Sequence, residues 1–263
     1  MTVGDALSGA VPALEAAGCE TPRLDAEVLI ADALGVDRAA LVSDPGREVS
    51  PTVARLIGER VRRRIAREPV AYVLGRKGFR RIELVVDRRV LIPRPESELL
   101  VEAALGLPPG ARVHDVGTGS GAVALALLEE RPDLRVSASD ASPGAVAVAR
   151  ENAARLGLPL EVELASWLPE GRYDMVLANL PYVADSELPS LGPEIAYWEP
   201  REALLAGADG LDGIRSLVAD APPGTPLALE HAPHQAGAVR GLLAEAETLR
   251  DLAGRERVTR GLA

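Results

Sequence analysis

The segment "HDVGTGSGAVALAL" (residues 114–127) places three closely spaced glycines between two apolar stretches. A short apolar run before such a loop is typical of a buried parallel strand, and the longer stretch after it is typical of a helix. Glycines let backbone N–H groups approach a ligand closely, and the N-terminus of the following helix favours negative charge. The segment therefore predicts a ligand-binding loop between a strand and a helix. The candidate binding residues of this loop are Gly117, Thr118, Gly119, Ser120 and Gly121.

The rest of the chain after residue 111 repeats this alternation of apolar runs and helical stretches. Runs such as "RVSASD", "LEVELA" and "YDMVLANL" are separated by segments with helical spacing. Ser142 and Pro143 suit the first positions of one such helix, and Gly157 suits its end. The alternation predicts an α/β fold in which helices cover both faces of a mostly parallel sheet.

Residues 1–74 are predicted to be helical, and no catalytic motif is found there. Gly35 is expected to end one helix, and Ser50 with Pro51 is expected to begin another. The segment "FRRIELVVDRRVLIP" (residues 79–93) then changes to a loose alternation with β-branched residues, which predicts a hairpin. The expected organisation is a helical docking domain (1–74), a β-hairpin linker (75–92) and an α/β domain (93–263).

Charge is distributed unevenly along the chain. The net charge is −10, yet residues 47–94 hold 14 Lys and Arg against 5 Asp and Glu. An acidic protein is a poor candidate for sequence-independent nucleic-acid binding, which depends on neutralising phosphates. The basic run "ERVRRRIARE" (residues 59–68) is interpreted as a solvated helix face. The alternative is a surface that binds an acidic partner or RNA.

Several classes of protein and site are disfavoured by the composition. Cys19 is the single cysteine, which excludes an intrachain disulfide and a Cys-rich zinc site. No signal segment and no membrane-length apolar run is apparent, so a soluble, cytoplasmic protein is expected. His231 and His234 have no apparent third ligand, so no metal is expected. His114 lies inside a predicted strand and is interpreted as a satisfied core residue.

The nature of the ligand follows from the next strand, which ends at Asp140, 21 residues after Gly119. A carboxylate at that place can accept hydrogen bonds from both hydroxyls of a ribose. The spacing Gly117-x-Gly119-x-x-Ala122 also fits a dinucleotide fingerprint. An adenosine-containing cofactor is thus predicted, with NAD and S-adenosylmethionine both open. The packed Gly-x-Gly-x-Gly form favours S-adenosylmethionine, and a tight turn without a ligand is a third interpretation.

The segment "LANLPYV" (residues 177–183) ends the fourth predicted strand beside that cofactor. It offers no base with a pKa suited to a nicotinamide enzyme, but it suits a planar NH2 group. The side-chain oxygen of Asn179 and the backbone carbonyl of Leu180 can each accept one N–H. Pro181 fixes the turn that directs the carbonyl, and Tyr182 can pack its ring against the planar group.

This arrangement predicts methyl transfer to an amide or amine nitrogen. Two acceptors would raise the electron density on the nitrogen, and positioning of the reactants can contribute about 7–11 kcal/mol to lowering the barrier. The sulfonium is already activated, so neither a metal nor a strong base is required. Asn179 and Tyr182 are the candidate catalytic residues.

With these motifs in place, the chain resembles the bacterial release factor glutamine methyltransferases nearly end to end. The segments that carry the resemblance, with the glycine loop and Asn-Leu-Pro-Tyr, are "REPVAYVLGRKGF" (67–79), "VLIPRPESELLVE" (90–102), "WEPREALLAGADGLDGIRSL" (198–217) and "RDLAGRERVTRG" (250–261). The resemblance implies a Rossmann-like S-adenosylmethionine-dependent methyltransferase fold. Its mostly parallel seven-stranded sheet would be preceded by a small helical domain and a β-hairpin.

The resemblance also implies roles for individual residues. Gly117 to Gly121 would wrap the methionine part of S-adenosylmethionine, Asp140 would hold the ribose and Trp167 would line the adenine pocket. Asn179 to Tyr182 would grip the glutamine of the Gly-Gly-Gln motif in class-I peptide-chain release factors, with Asn179 also close to the cofactor. The product of the cofactor would be S-adenosylhomocysteine. The N-terminal helices would help to dock the release factor, and a monomer without membrane or nucleic-acid partners is expected.

Three positions depart from the family pattern. Leu180 stands where the family usually has proline; since only a backbone carbonyl is expected to be needed there, function should be kept with a less rigid loop. Ser97 stands where the family usually has threonine, which keeps a hydroxyl. The run "LEHAPHQ" (residues 229–235) replaces a usual Glu-x-Gly run.

Three other functions compete with this interpretation. A nucleic-acid adenine N6-methyltransferase would bind an exocyclic amine through the same pair of hydrogen bonds. Such an enzyme also needs base flipping and strong phosphate contacts. A non-catalytic binding protein could retain the fold, although intact Asp140, Asn179 and Tyr182 argue against that. An NAD oxidoreductase is the third.

Overall fold

The computed structural model describes all residues from Met1 to Ala263, and they form two compact units. The first, which we call the helical unit, consists of Met1–Gly75 together with Gly192–Trp198. The second, the sheet unit, consists of Arg76–Leu191 together with Glu199–Ala263. The sequence pattern did not predict that a segment near residue 195 packs with the N-terminal helices.

Five helices precede the sheet unit, and their ends follow the capping signals of the sequence. They are α1 (Val3–Ala16), α2 (Pro22–Leu34), α3 (Arg38–Ser43), α4 (Pro51–Ile65) and α5 (Val70–Leu74). Gly35 ends α2 in the left-handed conformation at φ 65°, and the Ser50 hydroxyl accepts from the Val53 N–H at the start of α4. Both predicted helix ends are confirmed, and the aliphatic core of the unit includes Leu14, Ile30 and Ile57.

The basic run of α4 is not simply a solvated face, and that interpretation is wrong for Arg64. This side chain is only 5% exposed. Its Nε lies 2.7 Å from Oδ2 of the buried Asp25 on α2, and its Nη2 lies 2.8 Å from Oε1 of Glu194. Arg67 also pairs with Glu194. A buried carboxylate needs a cationic partner, and that need outweighs the preference of arginine for water.

The sheet unit opens with a hairpin and continues as alternating strands and helices. The hairpin pairs β1 (Arg76–Phe79) with β2 (Ile82–Val85) in antiparallel register, as predicted. The next elements are α6 (Glu98–Leu105), β3 (Arg112–Val116), α7 (Ala122–Glu130), β4 (Arg135–Asp140), α8 (Pro143–Leu156), β5 (Glu161–Leu164) and β6 (Met175–Ala178). After α9 (Pro193–Trp198) of the helical unit come α10 (Asp212–Asp220), β7 (Pro226–Glu230), α11 (Ala236–Arg240), β8 (Ala244–Arg250) and β9 (Glu256–Leu262).

The seven strands of the main sheet lie in the order β5-β4-β3-β6-β7-β9-β8. The pairings from β5 to β7 are parallel, and β9 runs antiparallel to both β7 and β8. The predicted mostly parallel seven-stranded sheet is confirmed. The chain continues from β3 to β4 on one side, whereas β6 lies on the other, so the carboxyl end of β3 is a topological switch point where ligands bind in such sheets.

The core of the sheet unit is aliphatic and includes one satisfied histidine. His114 on β3 is buried, and its ring nitrogens lie 2.8 Å from the Ser137 Oγ and 2.9 Å from the Ser139 Oγ on β4. Burial lowers the pKa of His114 to about 4, so the ring is neutral at physiological pH. The interpretation of His114 as a core residue is confirmed. None of the helices is both long and apolar enough to cross a bilayer.

The buried ion pairs of Arg64 give a test of what holds the helical unit together. Replacing Arg64 with alanine leaves Asp25 and Glu194 without their shared cation, which should lower the free energy of unfolding by about 3–5 kcal/mol. Urea denaturation followed by circular dichroism measures this change. The matched control is Arg23→Ala, because Arg23 pairs with Glu27 through a side chain that is 76% exposed. The control should change stability by less than about 1 kcal/mol, and equal effects of the two substitutions would contradict the assignment.

Candidate active site

A cavity of about 590 Å³ lies at the carboxyl ends of β3, β4 and β6. It gathers most of the residues predicted from the sequence. Nine of the eleven predicted site residues line it: Gly117, Thr118, Gly119, Ser120, Asp140, Trp167, Asn179, Leu180 and Pro181. The other two are adjacent in the chain to lining residues: Gly121 is the N-cap of α7, and Tyr182 follows Pro181.

The glycine loop presents bare backbone to this cavity. Gly117, Gly119 and Gly121 have positive φ angles of 70°, 57° and 82°, a conformation that L side chains rarely adopt. A Cβ atom on Gly119 would meet no other protein atom within 4 Å, so the fold leaves open space against this part of the loop. A Cβ on Gly117 would lie 3.0 Å from the Leu180 side chain. The loop therefore has both the shape and the clearance that a closely held ligand requires.

Asp140 is held in a fixed orientation at the end of β4. Its Oδ2 accepts from the Gly119 N–H at 2.9 Å, and its Oδ1 accepts from the Ser142 N–H at 2.8 Å. Burial raises the pKa of Asp140, and the two backbone hydrogen bonds oppose that rise. Each carboxylate oxygen keeps a further lone pair, so the group can still accept from two hydroxyls of a ribose.

Asn152 on α8 connects the glycine loop to the hairpin. Its Oδ1 accepts from the Val85 N–H at 2.7 Å, and its Nδ2 donates to the carbonyls of Val85 and Ser120 at 3.0 and 2.9 Å. The side chain is fully buried, and all of these partners are backbone groups. Sequence reasoning missed Asn152, because an asparagine within a helical stretch gives no sign of which distant backbone it will meet.

The charge of the cavity lining is strongly acidic. Asp115, Asp140, Glu202 and Asp212 line it, and Arg89 is the one cation among the lining residues. Arg89 is itself paired with Asp87. S-adenosylmethionine is cationic at its sulfonium and its α-amino group, whereas NAD carries a pyrophosphate. The lining therefore fits S-adenosylmethionine and disfavours NAD.

Asp115 is a site residue that sequence reasoning missed. It is buried at the end of β3, and its Oδ2 accepts from the Thr118 hydroxyl at 2.6 Å. Burial raises the pKa of Asp115 to about 7, and the hydrogen bond from Thr118 opposes that rise. Its place two residues before the first loop glycine could have identified it, because a carboxyl at the end of a buried strand has no reason to be there for packing alone.

Asn179, just after β6, has its side-chain amide fixed by a hydroxyl. Its Nδ2 donates to the Ser97 Oγ at 2.9 Å, and Ser97 is buried in the 3₁₀ turn before α6. With its NH2 engaged there, the amide presents its Oδ1 as the acceptor for a ligand. The predicted acceptor role of Asn179 is thus geometrically available, and Ser97 supplies the orientation.

Leu180 contributes more than the backbone carbonyl expected from the sequence. Its side chain is buried in the core of the sheet unit, where it packs with Val116, Ile214 and Leu217. It also approaches the backbone of Gly117 and Gly213. The expectation that only the carbonyl matters at this position is therefore incomplete, because the side chain supports the glycine loop from beneath.

Tyr182 is half-buried and follows the lining residue Pro181. Its hydroxyl lies 3.5 Å from Oε1 of Glu230, and its carbonyl accepts from the Gln235 Nε2 at 2.9 Å. Burial, followed by the nearby charge of Glu230, raises the pKa of Tyr182 far above its ordinary value. The phenol is therefore a hydrogen-bond donor and not a base at physiological pH.

The remaining predicted residues fall into two groups. Trp167 lines the cavity and is 37% exposed, so its ring is accessible to a ligand. His231 is buried, with its ring nitrogens 2.9 Å from the Ala232 carbonyl and 2.8 Å from the Thr259 Oγ1, whereas His234 is exposed. The structure holds no group of three or more His, Cys, Asp or Glu side chains arranged to bind a metal ion.

Comparison with known proteins identifies both parts of the chain. The model of the PrmC N-terminal domain matches residues 5–75, and the model of the methyltransferase small domain matches residues 95–194. A release factor glutamine methyltransferase of Cereibacter sphaeroides is 43% identical over 272 residues, which cover 98% of this chain and 97% of the relative. A release factor glutamine methyltransferase of Deinococcus radiodurans is 38% identical over 99% of this chain and 98% of its own.

Solved structures add evidence on the fold. The catalytic domain of hMettl16, solved in complex with the MAT2A 3′UTR hairpin 1, matches with a TM-score of 0.54. The match covers 77% of this chain and 80% of that domain at 14% sequence identity. At this level of identity the likeness concerns the fold alone.

The geometry of Asp140 predicts a specific loss of cofactor affinity. Replacing Asp140 with alanine removes a charged acceptor for the ribose hydroxyls, and such hydrogen bonds are worth about 1.5–3 kcal/mol. Calorimetry should therefore give a dissociation constant for S-adenosylmethionine that is about ten- to a hundredfold higher. Asp140→Asn, which keeps an acceptor without the charge, should fall between the parent and the alanine variant. An unchanged constant for Asp140→Ala, or NAD binding to the parent with comparable affinity, would remove this site from consideration.

Proposed function

The chain belongs to the release factor glutamine methyltransferase family, and we propose that it methylates the side-chain amide nitrogen (N5) of a glutamine in class-I peptide-chain release factors. The glutamine is that of their Gly-Gly-Gln motif, and the methyl donor is S-adenosylmethionine. One observation supports this proposal above the others. The amide of Asn179, oriented by Ser97, lies at the end of β6, directly beside the glycine loop at the end of β3.

The cofactor is held by residues of the sheet unit alone. Gly117 to Gly121 give clearance beside the backbone, Asp140 accepts from the ribose hydroxyls, and Trp167 covers the adenine. When bound, S-adenosylmethionine supplies an activated methyl group on its sulfonium. The acidic lining that includes Asp115 stabilises the positive charge of this ligand.

The Asn-Leu-Pro-Tyr segment positions the nucleophile. The Asn179 Oδ1 and the Leu180 carbonyl accept the two N–H bonds of the substrate amide, which turns the π face of its nitrogen toward the cofactor. An amide nitrogen is a weak nucleophile because its lone pair is delocalised, and two acceptors raise its electron density. Pro181 fixes the turn, and the Tyr182 ring packs against the amide plane. Fixed positioning of this kind contributes about 7–11 kcal/mol to lowering a barrier.

The helical unit is proposed to dock the release factor. This proposal treats residues 1–74 as the docking domain, 75–92 as the hairpin linker and 93–263 as the methyltransferase domain. Support comes from the family match over residues 5–75. We further propose that the protein acts as a monomer in the cytoplasm, where translation ends, and that it needs neither a membrane nor a nucleic acid.

A nucleic-acid adenine N6-methyltransferase is the nearest competing function. Its target is also a planar NH2 group, so Asn179 and Leu180 would bind it by the same hydrogen bonds. The cavity lining argues against it, because four carboxyl groups face a single paired arginine and would repel phosphates.

The substrate assignment predicts where a labelled methyl group should appear. Incubation with labelled S-adenosylmethionine should place label on the Gly-Gly-Gln glutamine of a class-I release factor, as located by mass spectrometry of its tryptic peptides. Label should vanish when that glutamine is replaced by alanine, and it should not appear on RNA or DNA. Label on adenine, with none on the release factor, would falsify the glutamine assignment and leave the chemistry of Asn179 intact.

The role of Asn179 predicts a loss of rate that exceeds the loss of cofactor binding. Asn179→Ala removes one positioned acceptor, and by analogy with an oxyanion-hole group the barrier should rise by about 2.7–4 kcal/mol. Single-turnover methylation should therefore slow by about 10²–10³-fold. The matched control is Leu180→Pro at the next position, which keeps the backbone carbonyl and part of the buried side chain, and should retain activity within about tenfold. Equal rates for Asn179→Ala and the parent would refute the mechanism.

A further inference from the structure

The carboxyl group of Glu230 is a buried charge that the mechanism above does not use. Glu230 ends β7, which pairs in parallel with β6, and its residue is 1% exposed. Its Oε2 has no hydrogen-bond partner in the structure, and its Oε1 lies 3.5 Å from the Tyr182 hydroxyl. The side chain of the buried Ser97 lowers the pKa of this carboxyl by hydrogen bonding. A carboxylate in such a place is costly, and packing gives no reason for one.

The two neighbours of Glu230 are the two groups that reach the substrate-binding segment. Ser97 connects it to the Asn179 amide, because the Asn179 Nδ2 donates to the Ser97 Oγ at 2.9 Å. Tyr182 connects it to the end of the Asn-Leu-Pro-Tyr segment itself. Glu230 is 1% exposed and does not line the cavity, so we do not assign it a contact with the reacting atoms. Its influence must pass through these neighbours.

We propose that Glu230 is a positioning residue that fixes, through Ser97, which way the Asn179 amide faces. An ionised carboxylate can only accept hydrogen bonds. The Ser97 hydroxyl must then donate its one proton to Glu230, which leaves only lone pairs for Asn179. The Asn179 amide can satisfy those lone pairs only with its NH2, so its Oδ1 faces the substrate. The ionised carboxylate of Glu230 thus determines which groups of Ser97 and Asn179 donate and which accept.

The neutral carboxyl group has the opposite effect. A protonated Glu230 can donate to the Ser97 oxygen, which frees the Ser97 proton to point toward Asn179. The amide can then turn over, accept from Ser97 and present its NH2 to the substrate. Two NH2 groups facing each other cannot form the required hydrogen bond. The ionised state of Glu230 is therefore the competent one.

The surroundings of Glu230 place the ionisation of its carboxyl group within the physiological range of pH. Burial raises its pKa to about 7; the hydrogen bonds from Ser97 and Tyr182 and the charge of Arg257 oppose the rise, and the charge of Glu96 adds to it. Arg257 on β9 is engaged with Asp251 and Glu96, so it is not a dedicated partner for Glu230.

Two other charged groups lie near this cluster. The next residue on the strand, His231, is kept neutral because burial lowers its pKa. Arg94 faces the Tyr182 side and is paired with the buried Glu199. Neither therefore supplies a proton or a free positive charge to Glu230 at neutral pH.

The experiment compares Glu230→Gln with the parent, and it rests on the proposed methylation of release factors. Glutamine has the same shape but always carries a donor, so it mimics the neutral carboxyl. At pH 8 the single-turnover rate should fall by about ten- to a hundredfold, with little change in the dissociation constant of S-adenosylmethionine. In the parent, the rate should rise with pH through about 7 as Glu230 ionises, and this rise should be absent in Glu230→Gln.

Loss of folding does not explain such a result. A carboxyl group whose pKa is raised in the folded protein binds its proton more tightly there than in the unfolded chain. Its contribution to stability is present at low pH and is lost as pH rises through about 7. Glu230→Gln should therefore be at least as stable as the parent at pH 8, and thermal melting checks this. Asp115 has a similar pKa, so a rise in rate that persists in Glu230→Gln would belong to Asp115 and would overturn the proposal.

Substitutions at Ser97 separate the chain of hydrogen bonds from other effects of Glu230. Ser97→Ala breaks the chain and should slow the reaction as Glu230→Gln does, and the double variant should be no slower than either alone. Ser97→Thr keeps the hydroxyl and should restore the rate. Tyr182→Phe removes the other neighbour and should leave the dependence on pH in place. Additive losses in the double variant would show that Glu230 acts by another route.

A measurement that does not depend on turnover observes the amide directly. In protein labelled with ¹⁵N asparagine, the Asn179 side-chain signals are identified by their absence in Asn179→Ala. These signals should move with pH through about 7 in the parent and should not do so in Glu230→Gln. A parent that fails to methylate the release factor would refute the proposed function and would leave this measurement valid. A parent that is active and a Glu230→Gln variant with the same rate and the same signals would refute the role of Glu230 alone.

Discussion

The parallel pairing of β3 with β6 is the constraint on which the rest of the site depends. Val116 is in register with Ala178, so the two strands end at the same level and release the glycine loop and the Asn-Leu-Pro-Tyr segment side by side. Parallel neighbours require a crossover, and the elements between them in the sequence carry Asp140 to the same edge. A cofactor loop and a nucleophile-holding loop that are about 60 residues apart in the chain thus become one cavity without any movement of the backbone.

The protein contains two kinds of buried charged group. In the helical unit Arg64 is surrounded by carboxylates, and the charges balance within the cluster. In the sheet unit the buried carboxyl groups of Asp115 and Glu230 have hydroxyl neighbours and no dedicated cation, so burial raises the pKa of each to about 7. Balanced clusters hold elements together and stay in one charge state. Carboxyl groups with raised pKa values near a cavity change their charge near neutral pH. Such groups are typical of functional sites.

Much of the sheet unit could be predicted from the sequence, because its signals are local. The alternation of apolar runs, the glycines and the capping residues of α8 each act within a few residues. The contacts of Ser97, Asn152 and Glu230 could not be predicted, since each depends on a partner between 30 and 135 residues away. The burial of Arg64 was missed for the same reason, because its partner Asp25 lies on another helix.

The assignment of Gly192–Trp198 to the helical unit has a consequence for how this protein can be divided. The family match to the N-terminal part stops at residue 75, which suggests a module that evolution could attach or remove by a single cut. The chain, however, returns to that module between two stretches of the methyltransferase unit, and Glu194 supplies its anchor to Arg64 and Arg67. The helical unit therefore consists of two separate stretches of the chain, and a chimera that takes this unit from a relative would need residues 192–198 as well as residues 1–75.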